Sequence, residues 1–124
     1  MVKLDQGADG IVTLALLPPD QAGDERAYLD ALDMIGRLDK RYALLTLFGG
    51  GGKLSPAGER EQALWYKATR SHMNRHCRGI AMVRPGATAE TAAVFQRLWS
   101  FPVSVAADEA AGRIALLAHL GETS

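Results

Sequence analysis

The stretch YALLTLFGGGGKLSPAGEREQALW, Tyr42 to Trp65, decides the fold. Its first seven residues are apolar except for Thr46 and are cut off by glycines. A run this short is better satisfied as a central strand covered on both faces than as a buried helix. After the glycines, Ser55 is a good N-cap and Pro56 suits the first helical position, where its missing N–H costs nothing. A long helix is expected from Ser55 onward. Glu59 and Glu61 stand near its positive end, Lys67, Arg70, Arg75 and Arg78 crowd its negative end, and Gly79 serves as the stop. The apolar segment GIAMVRPG, Gly79 to Gly86, then reads as the next strand. Strand, helix and strand in succession imply a crossover between parallel neighbours.

Working outward, GIVTLALLPP (Gly10 to Pro19) reads as a strand stopped by prolines, and MVKLD as an edge strand before it. In DERAYLDALDMIGRLDKRY, residues Tyr28, Leu32, Ile35 and Leu38 share one helical face. Asp24 and Glu25 suit the start of this helix, and Lys40 and Arg41 its end. TAETAAVFQRLWS predicts a third helix with Val94, Phe95 and Leu98 towards the core. FPVSVA predicts a short last strand, its proline suiting a strand start or a sheet edge. DEAAGRIALLAHL predicts a final helix with Ala110, Ile114 and Leu117 on its inner face. The expectation is an α/β fold, one domain over residues 1–124, with a mixed five-stranded sheet and about four helices.

Fourteen basic residues balance fourteen acidic ones. A general nucleic-acid binder carries a basic excess, so that class is not expected, and the cluster Lys67, Arg70, Arg75 and Arg78 reads as a solvated helix end. A single cysteine, Cys77, allows no intrachain disulfide and suits a reducing compartment. The first ten residues lack an apolar signal core, and no apolar run approaches the roughly 20 residues of a membrane helix. A cytoplasmic protein without membrane association is expected.

Several motifs invite chemistry. GGGGKLS fails as a nucleotide loop, because Leu47 stands where the first glycine is required and Leu54 where a hydroxyl residue should follow the lysine. A weaker anion site remains at this strand-to-helix turn, with Gly49, Gly50, Gly51, Gly52, Lys53 and Ser55 as ligand-binding candidates. His72 and His76 share a helix face, but zinc needs further ligands that nothing in the sequence places nearby, so no metal site is expected. Cys77 reads as a buried thiol rather than a nucleophile. No set of nucleophile, base and orienting group can be assembled, so no enzyme and no cofactor are expected. Phe95, Trp99 and Phe101 read as core, or in a second reading as the lining of an apolar cavity.

The stretches YALLTLF, LSPAGEREQALW, HCRGIAMV and FQRLWSFPVSVAADEAAGRIALLAHL together resemble the SpoIIAA-like branch of the STAS-like fold family. The last stretch is similar to that family's ending, an aromatic-proline pair, a short strand and an alanine-rich helix with acidic residues. The resemblance implies a non-catalytic binding or regulatory module that reads a partner protein or a small ligand, and it leaves a homodimer open. It implies Ser55 as the counterpart of the serine phosphorylated at the start of the second helix in anti-sigma-factor antagonists. Gly49 to Gly52 and Lys53 replace the loop that precedes that serine, and Pro56 follows it. The alternative implied function is a small carrier of an apolar or amphipathic ligand, held under the second and third helices.

Overall fold

The computed structural model describes residues 1–49 and 54–121. Its elements follow the expected order: β1 (Val2–Gln6), β2 (Ile11–Leu16), α1 (Asp24–Gly36), β3 (Tyr42–Phe48), α2 (Pro56–His76), β4 (Cys77–Val83), α3 (Ala89–Gln96), β5 (Val103–Val105) and α4 (Glu109–Gly121). The five strands lie in one sheet in the order β1-β2-β3-β4-β5. β1 is antiparallel to β2, and all other neighbours are parallel.

Alternation along β3 divides the interior into two layers. Tyr42 and Leu44 join a cluster with Leu29, Leu32 and Ile35 of α1, Met73 of α2, and Trp99 and Phe101. Ala43 and Leu45 point the other way, into a smaller cluster with Ile11, Ala81 and Leu116 of α4. The three crossover helices thus serve one face and α4 the other, as helices joining successive parallel strands by crossovers of one hand must. Apolar residues on both faces explain why β3 shows no polar alternation in sequence. On the α4 face the layers approach closely: a Cβ on Gly112 would stand 2.8 Å from Leu45 Cδ1.

Several boundaries and faces differ from expectation. α1 ends at Gly36, with no basic residue in its last turn, so Lys40 and Arg41 lie beyond it and give its dipole no support. α2 passes directly into β4 at Cys77, so Gly79 is a strand residue rather than a helix stop, and Arg78 belongs to the strand. Gly79 instead lets His119 of α4 approach, its added Cβ falling 3.2 Å from His119 Cδ2. Val94 is 58% exposed and Leu98 36%, leaving Phe95 as the contact of that region with the core. The inner face of α4 is carried by Gly112 and Leu116, while Ile114 is 70% exposed. A glycine carries no apolar signal, which is why periodicity selected the wrong face.

Candidate functional site

α1 and α2 run side by side in parallel, and three sets of contacts trace the seam between them. At the start, Glu25 meets Ser55. One turn on, Arg26 grips both carboxylate oxygens of Glu61, and the Tyr28 hydroxyl donates to Gln62 Oε1 at 2.7 Å. At the far end the helices nearly touch: a Cβ on Gly36 would lie 2.6 Å from Thr69 Cγ2 and 2.8 Å from Trp65 Nε1.

Ser55 caps α2 as expected, its Oγ accepting from the Gly58 N–H at 3.1 Å. In a capping box, the residue three positions after the cap would be Glu or Gln and would reach back to the cap's own N–H. Here that position is Gly58, which has no side chain to offer. Glu25 supplies the carboxylate from the neighbouring helix. Its Oε1 accepts from the Ser55 N–H, and its Oε2 accepts from Ser55 Oγ–H at 2.8 Å. A Cβ on Gly58 would stand 2.8 Å from that carboxylate, so the missing side chain makes room for the carboxylate that replaces it. The Ser55 backbone and hydroxyl hydrogen bonds hold the Glu25 carboxyl below the usual carboxylate range, outweighing its desolvation and the nearby Glu61 charge.

Of the anion-site candidates, Ser55 is engaged by a carboxylate of the chain itself. Of the other candidates, Gly49 donates its N–H to Leu16 O and packs on Leu17 and Pro18. Gly50, Gly51, Gly52 and Lys53 lie outside the described residues. Glu25 is the partner of Ser55 that the sequence does not announce. The signal available was the glycine three positions after Ser55, which leaves the serine's N–H without a local acceptor.

His72 and His76 stay together on α2, with ring centroids 4.4 Å apart, and the remaining candidates are dispersed. Cys77 is buried in β4, and burial pushes its thiol up to about 12, against weaker opposing hydrogen bonds. That is the reverse of an activated nucleophile. Phe95 packs against the core cluster. Trp99 stacks on Phe101 with centroids 5.1 Å apart, and Trp65 and Tyr66 of α2 meet Trp99 edge-on, so this aromatic group is packed interior. Lys67, Arg70 and Arg75 are exposed on α2, with Arg70 set over the Tyr66 ring. No helix among the described residues is long and apolar enough to cross a membrane.

No family model, curated protein or solved structure matches this chain.

Proposed function

We propose that this chain is a non-catalytic regulatory module of STAS-like type, working in the cytoplasm, whose business end is the junction of Glu25 with the start of α2. The observation that carries the reading is the occupation of that helix start by Glu25. A helix N-terminus holds anions through free N–H groups and the helix dipole. An intramolecular carboxylate in that place is exchangeable: an anionic group of a protein partner or a small ligand competes with it for the Ser55 N–H and hydroxyl.

Phosphorylation of Ser55 would make the same exchange covalently. The phosphoryl group brings about two negative charges to a position within hydrogen-bond reach of the Glu25 carboxylate. Like-charge repulsion expels Glu25, while the new group stays favourably placed at the helix start. The seam between α1 and α2 then opens at this end and stays closed at Gly36, giving two surfaces for a partner to tell apart. Ser55 is exposed, as a modifying enzyme requires.

The test is intact mass and peptide mapping of the full chain after incubation with ATP and lysate of the source cells. One phosphoryl group on Ser55, absent from Ser55→Ala, is the expected result. Hydrogen exchange should then quicken at the start of α1 and α2 and remain unchanged around Gly36. No phosphoryl group at Ser55, together with no response of the Ser55 and Gly58 amide signals to phosphate-bearing or carboxylate ligands, overturns the reading.

A further inference from the structure

At the other end of the same seam, three potential ligands converge. His72 and His76 stand one turn apart on α2, with ring centroids 4.4 Å apart, and Asp39 faces them from the connection between α1 and β3. Among the described residues, these three form a group whose ligand atoms all lie within 4.8 Å of one another. His72 Nε2 is 3.1 Å from Asp39 Oδ1 and 2.8 Å from the Leu38 carbonyl oxygen. Two oxygens flanking one imidazole nitrogen mark a position that a proton fills in the absence of metal and that a cation can fill instead.

The distances suit a first-row divalent ion. With metal–ligand bonds of roughly 2.0–2.1 Å, two ligands of a tetrahedral ion lie about 3.4 Å apart. The His72–Asp39 separation is already close to that span, and no pair in the group is more than 4.8 Å apart. Neither histidine ligates through a protonated nitrogen, so the proton on His72 Nε2 moves to Nδ1 as the lone pair turns to the ion. Two imidazoles and one carboxylate, without thiolate, suit Zn²⁺ and its neighbours Co²⁺ and Ni²⁺ rather than Cu⁺ or Mg²⁺.

The geometry points to a zinc-class site formed by Asp39, His72 and His76, with a further coordination position open to water. The open position follows from the surroundings. Asp39 and His72 line an exposed groove of about 430 Å³ with Gly36, Arg37, Ala68 and Thr69. A structural zinc site is closed by four protein ligands, whereas three ligands beside an open groove leave room for an exchangeable one. Bound metal would tie the chain after α1 to the last turns of α2. This site stands apart from the Ser55 junction, and neither reading depends on the other.

The experiment uses the full chain without a histidine tag. Co²⁺ serves as the optical probe and Zn²⁺ as competitor, with amide spectra recorded alongside. One equivalent of Co²⁺ should give a visible absorption band that Zn²⁺ abolishes, with paramagnetic broadening confined to residues near 36–40 and 69–76. His76→Gln and Asp39→Asn should each weaken Zn²⁺ binding by about tenfold or more, equal to about 1.4 kcal/mol. Asp39 is exposed, so its variant keeps the question answerable even if a histidine variant folds poorly. Absence of binding at millimolar Co²⁺ overturns the inference. So does binding that survives His72→Gln/His76→Gln in a folded protein, or broadening centred instead on His119 and Cys77.

Discussion

The two ends of the α1–α2 seam are built from similar materials and solve opposite problems. At the start, a carboxylate meets the positive end of a helix, and Ser55 donates twice to Glu25 and accepts from Gly58. At the far end, a carboxylate meets imidazoles beside a groove, and His72 Nε2 stands within reach of two oxygens. In the first arrangement a competing anion has to displace Glu25 from Ser55. The second has spare acceptor capacity and can be changed by addition. Proximity of polar groups alone does not distinguish the two cases; the accounting of donors and acceptors does.

The comparison breaks most forcefully at Gly36, which sets the closeness of the far end. Gly36→Ala drives a methyl group to within 2.6 Å of Thr69 Cγ2 and 3.2 Å of Thr69 Cβ. A loss of about 1–3 kcal/mol is expected by chemical denaturation. The Ser55 amide signal should keep its position in that variant if the two ends are independent. Ser55→Ala removes the cap of α2 and should cost about 1 kcal/mol, with faster hydrogen exchange over the first turn of α2 and none near His72.

Gly58→Ala gives a smaller net change and a sharper test. The added methyl group displaces the Glu25 carboxylate while improving helix propensity by up to about 1 kcal/mol, so the two effects offset. The diagnostic is coupling: Glu25→Gln should change stability in the wild-type background and leave it unchanged in Gly58→Ala. The pH dependence of that same Glu25→Gln difference is the finest test. The folded-state pKa of Glu25 is depressed, so its contribution is present above the unfolded value near 4.5 and is lost as pH falls through the lower folded value. Denaturation curves of the two proteins should therefore converge on acidification. The difference persisting unchanged to the most acidic pH would show that the ionised carboxylate contributes nothing at Ser55.

What the sequence made legible was local. β3 could be read from Tyr42 to Phe48 because a two-sided strand leaves a continuous apolar run. The start of α2 could be read because Ser55 and Pro56 act on their own backbone. The face of α4 was misread because contact there is made by Gly112, whose importance lies in what it lacks. The end of α2 was misread because β4 begins at Cys77 with no intervening turn to announce it. The partners at the seam were not legible at all. Glu25 lies 30 residues before Ser55, and His72 lies 34 residues after Leu38. In the sequence Glu25 serves the start of its own helix, and Asp39 carries no mark that pairs it with the two histidines.

The sheet keeps its strands in chain order from one edge to the other. Each helix-and-strand unit can therefore be laid against an edge that already exists, without waiting for a distant segment to be inserted. The loops to be closed are still long, with Ile11 paired to Ala43 and Leu44 to Ile80 across whole helices, and parallel pairing of that kind is slow. The exception to edge-by-edge addition is the α4 face. Ala43, Leu45 and Ala81 gain their cover from water only when the last helix arrives, because Leu116 is the piece that closes over them. A chain halted before Glu109 would carry a finished sheet with one bare apolar face. Its tendency to aggregate would measure how long that face waits during synthesis.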